Sequence, residues 1–377
     1  LVGHNIAYDL IWLWESGFKY NKPVFDTMLC EYIFNKGVTS SLGLGSLAVH
    51  YKCQTLKQDT LKEYFKKGYS TRDIPRNELK TYLIHDVVAT KEIFEKQYKR
   101  LQNNTLLPTV QLTNEVAVAL TKMYQAGFKV DTNKLQEVRK EFEEEKVKLE
   151  KDLSEYTKYL MGDTPINLNS PEQLSWILFS RKPKDKKEWA TAISNDPYMS
   201  NDVFKNFVER GFYKLYKTKA MQCKFCKGKG CIHKVKKDGS PYKNKTKCAT
   251  CNARGYLYIN TKEIAGLRFN PSNVKWASAN GFKTNKGNLE ILENIASNKN
   301  MTKAKTFLSN LKRLSAVSSY LSNYIEGIEN FIKPDGLLHV KLNQHITSTG
   351  RFSGASPNMQ NMPRGSTFPV KKVFVSR

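Results

Sequence analysis

Two Cys-x-x-Cys pairs constrain this chain more than any other feature: Cys223-Lys-Phe-Cys226 and, about twenty residues later, Cys248-Ala-Thr-Cys251. That spacing is the spacing of a structural four-thiolate zinc site, in which two tight turns each offer two sulfurs to one tetrahedral ion. A redox-active pair would need a thioredoxin-like βαβ context, which the flanking sequence lacks. Zn2+ is therefore the expected structural cofactor, held by Cys223, Cys226, Cys248 and Cys251. It would staple a segment too small and too polar to build its own core. Cys231 and His233 lie between the pairs and could exchange into the site.

A lysine-rich, hairpin-like stretch with Asp238-Gly239 at its turn joins the two pairs, and from Lys214 to Lys247 there are twelve lysines and one aspartate. Such a run reads either as a solvated face or as a phosphate contact, and the charge of the whole chain favours the second. Over 377 residues the formal net charge is +26, with a pI near 9.6. The partner should be polyanionic, either nucleic acid or an anionic membrane. No window approaches eighteen uninterrupted apolar residues and no signal peptide opens the chain, so neither a membrane span nor secretion is expected. Nucleic acid is favoured. A 40% hydrophobic and 11% aromatic content suits a folded chain of two or three domains.

At the start, Leu1-Val-Gly-His-Asn5-Ile-Ala-Tyr-Asp9 reads as a strand end running into a helix that stops at Gly17. Asn5 and Asp9, four apart, are expected on one line of that helix beside Ile6, Leu10 and Leu13. Tyr82 and Asp86 repeat the spacing on a second helix whose other faces are apolar. The segments between should be short helices, with Cys30 and Cys53 as buried or inert thiols.

Near Thr113 the pattern becomes helical. A helix ends at Gly127, a short extended link follows through Asp131, and a long amphipathic helix carries Leu135, Val138, Phe142, Leu149, Tyr156 and Leu160 on one stripe. Gly162 and Pro165 end it, and Ser170-Pro171 starts the next helix. After the cysteine insertion, Arg268-Phe-Asn-Pro271 and Gly281-Phe-Lys-Thr read as a turn and a helix start, before a helix over Leu308–Tyr320.

The stretch His345-Ile-Thr-Ser-Thr-Gly-Arg351-Phe-Ser-Gly-Ala-Ser-Pro357-Asn-Met-Gln-Asn-Met-Pro363 cannot hold a regular helix. It should turn repeatedly and present Thr349, Arg351, Asn358, Gln360 and Asn361 outward. Donors of that kind suit the minor-groove acceptors, which are nearly the same for every base pair.

Residue order adds a resemblance. Thr-x-Thr-Gly-Arg followed by Pro-Asn-x-Gln-Asn-x-Pro resembles the segment entering the palm of family A (polymerase I-like) DNA polymerases, here of phage type. Gly-His-Asn-x-x-x-Asp, Phe25-Asp26-Thr27-Met28-Leu29 and Tyr-x-x-x-Asp resemble the second and third motifs of the proofreading 3′–5′ exonuclease. The Asn-x-x-Ser-Pro-x-Gln-Leu run at Asn167–Leu174 and the Ser318-Ser-Tyr320 helix resemble the thumb, although no lysine stands just before Ser318.

The resemblance implies an α/β, ribonuclease-H-like exonuclease domain, incomplete, over residues 1–104. It implies a mainly α thumb over 105–213 and 262–330 with a small zinc-knuckle insertion at 214–261, and the first β strands of a palm over 331–377. Asp9 and Asp86 would bind Mg2+, Tyr82 would orient the attacking water and Asn5 would support the site. Gln344, Thr347, Thr349, Arg351, Asn358, Gln360 and Asn361 would contact primer–template DNA. The partners of the complete enzyme would also include deoxynucleotides and, at the insertion, a processivity factor, with no membrane, in the cytoplasm of a bacterial host. The family's exonuclease Asp-x-Glu is expected upstream of Leu1 and its polymerase carboxylates downstream of Arg377, so the chain alone should be an inactive internal piece. Two rivals are a stand-alone ribonuclease D-like exonuclease, which leaves the Thr-Gly-Arg segment without a purpose, and a non-catalytic zinc-containing DNA-binding protein, which leaves the ordered exonuclease motifs unexplained.

Overall fold

The computed structural model describes residues 1–38, 41–56, 61–235, 241–363, 365 and 367–376. The Asp238-Gly239 turn and the terminal Arg377 lie outside the described residues. In chain order the first elements are β1 (Val2–Gly3), α1 (Ala7–Glu15), β2 (Phe25–Asp26), α2 (Thr27–Phe34), α3 (Leu44–His50), α4 (Lys62–Lys66), α5 (Arg76–Gln102), α6 (Leu107–Ala126), β3 (Phe128–Val130) and α7 (Thr132–Met161). Then come α8 (Pro171–Phe179), β4 (Arg181–Pro183), α9 (Lys186–Asn195), α10 (Asn201–Gly211), β5 (Phe212–Lys214), β6 (Tyr216–Gln222), β7 (Cys231–Val235), β8 (Pro241–Lys247) and β9 (Tyr256–Ile264). The remainder comprises β10 (Ala277–Ser278), β11 (Gly281–Phe282), α11 (Lys286–Asn298), α12 (Thr302–Tyr320), α13 (Glu326–Glu329), β12 (Leu337–Leu338), β13 (Lys341–Asn343), β14 (Ser353–Ala355) and β15 (Phe374–Val375).

The chain forms two compact units, one of residues 1–140 with 320–377 and one of residues 141–319. In the first, β1 and β2 pair in parallel, Val2 opposite Phe25 and Gly3 opposite Asp26; α5 packs on β1, α2 and α6 on β2, and α1 on α6. Cys30, Phe34, Leu101 and Val110 form one patch of its core, and Leu47, Ala48, Cys53, Ala89 and Ile93 another. Both isolated cysteines are buried as expected, and burial pushes the Cys30 thiol far up from its ordinary pKa.

Asp26 joins these parts. It is almost wholly buried, and its carboxylate accepts the N–H groups of Met28 and Leu29 at the start of α2 and those of Asn5 and Ile6 at the entry to α1. An Asp at a helix N-cap satisfies amides the helix cannot; here one carboxylate serves two chain segments. Burial pushes its pKa up while the four N–H donors act in the opposite sense. In the same unit, β3 is the centre of a three-stranded antiparallel sheet, Phe128 opposite Leu338 and Val130 opposite Phe374. α6 stops where Gly127 takes φ of 64°, the left-handed region glycine occupies without penalty.

The second unit is built on aromatic packing. Trp189, Phe204, Phe282, Phe307, Phe179 and Ile177 are among its most buried side chains. Phe282 stacks on Phe212 with centroids 5.0 Å apart, and Trp189 meets Phe212 edge-on at 4.7 Å while its indole N–H donates to the Ser278 carbonyl at 2.7 Å. Helix starts follow side-chain caps: Ser170 accepts from Gln173 N–H with Pro171 at the first helical position, Asp185 caps α9 and Asn285 caps α11. One expectation is corrected: Gly281-Phe282 is not a helix start but a short strand against Ala277-Ser278, and the helix begins at Lys286. The Phe282 side chain is needed in the core, and its backbone N–H is taken by Ser175 Oγ rather than by a helix cap.

Truncating Trp189 to Ala should cost about 3–5 kcal/mol, the range for a large buried aromatic, read as a lower urea midpoint by far-ultraviolet circular dichroism. Trp189→Phe should cost less. A loss below about 1 kcal/mol for the Ala variant would mean that the aromatic cluster does not hold this unit together.

Candidate nucleic-acid interface and metal centre

β13 and β14 pair antiparallel, Lys341 opposite Ala355 and Asn343 opposite Ser353, so the Thr-Gly-Arg segment is the loop of a hairpin. Two anchors fix it. The Tyr32 hydroxyl of α2 donates to the Thr347 carbonyl at 2.6 Å, and Thr347 Oγ1 donates to the Arg351 carbonyl at 2.6 Å. Gly37, at φ of 77°, lets Ser348 approach so closely that a Cβ would lie 2.6 Å from its carbonyl oxygen. Beyond the hairpin, the Tyr324 hydroxyl donates to the Asn361 carbonyl at 2.5 Å.

Within the following turn the side-chain carbonyls are consumed internally. Gln360 Oε1 accepts the Gly354 N–H at 2.7 Å, and Asn358 Oδ1 accepts the Gln360 N–H at 3.1 Å. With their oxygens facing the backbone, both exposed amides have their NH2 groups left as donors. Thr349, Arg351 and Asn361 are exposed as well, and among the described residues the Arg351 guanidinium has no ion-pair partner. The arrangement is a surface of donors suited to accepting oxygens and ring nitrogens.

Gln344 and Thr347 stand apart from that exposed set. Gln344 is half-buried and its amide donates to the Thr113 carbonyl at 3.1 Å; Thr347 is half-buried in the anchor just described. Gln344 also lines a cavity of about 370 Å3 with Asn5, Trp12, Tyr124 and His345. Burial there holds the His345 imidazole below its ordinary pKa, with the Lys341 charge adding to the effect.

Asn5 departs from the expected helix line. It precedes α1 with φ of 60°, a left-handed conformation that Asn tolerates better than most residues, and its N–H is tied to Asp26. Asp9 lies on α1 and is exposed, in surroundings that raise its pKa by withdrawing water, while a local backbone N–H lowers it. Tyr82 and Asp86 lie on α5 as expected, both half-buried, and α5 packs against β1. Among the described residues the only cluster of three or more metal-ligating side chains is made of cysteines. The carboxylates present therefore do not by themselves make a closed divalent-metal site. Leu83, Ile84 and Val87 beside them are exposed.

The cysteine cluster fits zinc. The Sγ atoms of Cys223, Cys226, Cys248 and Cys251 all lie within 4.8 Å of one another, and all four residues are buried. Gly230 and Gly255 donate their N–H groups to the Cys226 and Cys251 sulfurs at 3.2 and 3.3 Å, and burial together with hydrogen bonds to the neighbouring thiols pushes the Cys251 thiol up to about 11 against the pull of the Gly255 N–H. Burial pushes the Cys248 thiol up, but the N–H groups of Cys251 and Thr250 and the Cys251 and Cys223 thiols outweigh it and bring the pKa down to about 7. Gly230 and Gly255, each four residues past the second cysteine of its knuckle, have φ of 68° and 78°, and a Cβ on either would lie 2.3 Å from a carbonyl oxygen of the facing knuckle, so the two turns close against each other. Cys231 opens β7, whose pairing with β8 puts His233 opposite Lys245, and neither Cys231 nor His233 joins the four-sulfur cluster.

Sequence reasoning missed Asp26 as the joint between two motifs, although an Asp before an apolar helical run is a legible N-cap. It also missed the anchors Tyr32, Gly37 and Tyr324, for which no local signal exists.

Comparison with known proteins places these features. Residues 1–102 match a model of the 3′–5′ exonuclease family, and residues 261–377 match one of DNA polymerase family A. The chain is 23% identical over 353 residues to DNA polymerase I of Bacillus subtilis (strain 168), covering 93% of this chain and 28% of that protein. It is 25% identical over 397 residues to the DNA polymerase of Bacillus phage SP01, covering 100% of this chain and 36% of that one. The chain thus spans about a third of the length of these relatives or less. A solved structure of the POL domain of Pol1 from M. smegmatis, in complex with DNA primer-template and dNTP, shares the fold with a TM-score of 0.56 at 19% identity, over 100% of this chain and 45% of that one. No helix among the described residues is long and apolar enough to cross a membrane. With a 3′–5′ exonuclease match over its first part, a DNA polymerase family A match over its last, and DNA polymerases as relatives along nearly the whole length, the chain is similar to the family A DNA polymerases.

Proposed function

We propose that this chain is the primer–template-gripping part of a DNA-templated DNA polymerase with a 3′–5′ exonuclease, acting in DNA replication. The observation that carries this reading is the donor surface of the hairpin loop: an exposed Arg351 without an ion pair, next to Asn358 and Gln360 amides whose oxygens are already used. Donors fixed in this way read the minor-groove acceptors common to all base pairs, so they hold the duplex without choosing its sequence. The net charge of +26 adds a sequence-independent attraction to the phosphates.

The rest of the reading draws its support from the relatives. The complete enzyme would bind deoxynucleotides and use Mg2+ in both reactions. In the exonuclease part, Asp9 and Asp86 are the residues of this chain proposed to hold the metal, which supplies hydroxide and stabilises the leaving oxygen when bound. Tyr82 would orient water from the same helix as Asp86, and Asn5, fixed by Asp26, would support the site. Residues 1–104, 105–213 with 262–330, 214–261 and 331–377 would act as exonuclease, thumb, zinc insertion and palm segment. The four cysteines would hold structural Zn2+.

Two outcomes are expected. Arg351→Ala should weaken primer–template binding by about 1–3 kcal/mol, the range for a hydrogen bond to a charged group, in an anisotropy titration at fixed salt. Unchanged affinity would remove Arg351 from the interface. The purified chain should contain one zinc per molecule by elemental analysis, and Cys223→Ser with Cys248→Ser should lose the metal and unfold the insertion, read as proteolysis between Gln222 and Tyr256. A metal-free protein with a protected insertion would refute the zinc reading.

A further inference from the structure

The insertion carries a surface that neither the zinc site nor the duplex-gripping loop uses. Its scaffold is the antiparallel pair β6–β9, closed at one end by the knuckles, with Gln222 opposite Tyr256, Ala220 opposite Tyr258 and Thr218 opposite Asn260. Directly opposed residues of an antiparallel pair share a face, so Tyr256 and Tyr258 stand side by side on one face. The residues across from them leave the rings uncovered. Ala220 has no bulk, and the Gln222 amide is turned to the Lys227 carbonyl at 3.1 Å. Tyr256 is 45% exposed and Tyr258 is half-buried; among the described residues no other ring packs on either and neither hydroxyl has a hydrogen-bond partner.

The surroundings are cationic. Lys227, Lys229, Arg254 and Lys262 are exposed, whereas Lys219, opposite Ile259, and Lys224, beside Met221 and Phe225, belong to the other face; the segment from Lys214 to Lys247 holds twelve lysines and one aspartate. Both acids at the strand pair are already engaged: Glu263 pairs with Lys217 at 2.8 Å, and the Asp163 carboxylate accepts the Ala220 N–H at 2.9 Å with Lys158 3.9 Å away.

From this placement we infer that Tyr256 and Tyr258 form a stacking platform for single-stranded nucleic acid, with the surrounding lysines taking its phosphates. Residues two apart on a strand are about 6.6 Å apart, roughly twice the 3.4 Å that separates stacked bases along a duplex strand. Two successive bases of an extended strand can therefore each meet a ring. Bases within a duplex already cover each other's faces, so the platform selects unpaired nucleotides. Aromatic rings serve this purpose without regard to sequence, because every base has a π face. The opposite face of the pair is different in kind. Met221, Leu257 and Ile259 lie there with Phe225 of the first knuckle in an open apolar groove, which would suit a protein partner; the charge and the paired rings favour nucleic acid. The inference takes its ligand class from the DNA-binding reading above, yet it concerns unpaired strand rather than duplex.

The test is an anisotropy titration of the full, zinc-loaded chain at physiological ionic strength with a fluorescent oligothymidine, an abasic oligomer of equal length, and a blunt-ended duplex. Tyr256→Leu with Tyr258→Leu keeps bulk and strand fit but removes the rings. Affinity for oligothymidine should fall about ten-fold or more, toward the affinity for the abasic strand, while Tyr256→Phe with Tyr258→Phe should stay within about two-fold of the parent. Blunt duplex binding should be unchanged in every tyrosine variant, and Arg351→Ala should show the reverse pattern, so the two readings fail separately. Zinc content measured on each variant reports the fold; if the double Leu variant loses metal, the single Tyr256→Leu variant carries the test with an expected loss of about three-fold or more. Oligothymidine binding unaffected by loss of the rings, an equal loss on the abasic strand, or a loss caused instead by Phe225→Ala with Ile259→Ala would overturn the platform.

Discussion

A loop rich in glycine and polar side chains grips a ligand only if its own hydrogen bonds fix its shape first, because each residue left free costs about 1–2 kcal/mol of backbone entropy on binding. Here the fixing is done by acceptors. Gln360 Oε1 and Asn358 Oδ1 take backbone N–H groups inside the turn, and the carbonyls of Thr347 and Asn361 take the hydroxyls of Tyr32 and Tyr324. The same bonds that order the loop dictate which atoms are left over. Those are amide NH2 groups and a guanidinium, all donors. One allocation of hydrogen bonds thus sets both the shape of the loop and the donors it leaves over, and exchanging an amide for a carboxylate would keep the ordering acceptor while removing the donors.

The two other polar centres follow the same rule that buried polar groups must be satisfied. Asp26 holds a buried carboxylate by giving it four N–H donors, and so connects the entry to α1 with the start of α2. The knuckles bury four sulfurs and supply glycine N–H groups to two of them. At Asp26 the N–H donors favour the carboxylate against burial, which still raises its pKa, and in the cysteine cluster the thiols are driven apart, Cys248 down to about 7 and Cys251 up to about 11. Only the cysteine centre assembles a full ligand set among the described residues.

Much of this was legible in the sequence where the signal is local. Ser170 and Pro171 begin α8, Gly127 ends α6, and the cysteine spacing alone identifies the four sulfurs that cluster. The outward residues of the loop were legible too, because their order matches a known family. Non-local facts were not. β3 is three residues long and pairs with strands more than two hundred residues away, a distance at which no periodicity carries information. Asn5 looked helical by spacing, but the pull of Asp26 on its N–H sets the backbone left-handed one turn too early. Gln344 looked like its exposed neighbours until the strand pairing turned it toward the Thr113 carbonyl.

The central claim is that the loop reads acceptors in the minor groove of a primer–template. It is tested most directly by replacing atoms in the DNA rather than in the protein. Adenines near the primer end can be exchanged for 3-deazaadenine, which removes a minor-groove acceptor, or for 7-deazaadenine, which removes one in the major groove. The account predicts that one well-placed 3-deaza substitution weakens binding about ten-fold, in keeping with one charged hydrogen bond, that the 7-deaza substitution leaves it unchanged, and that the 3-deaza effect vanishes in Arg351→Ala. Equal affinity for all three DNAs, or a loss confined to the 7-deaza duplex, would contradict it.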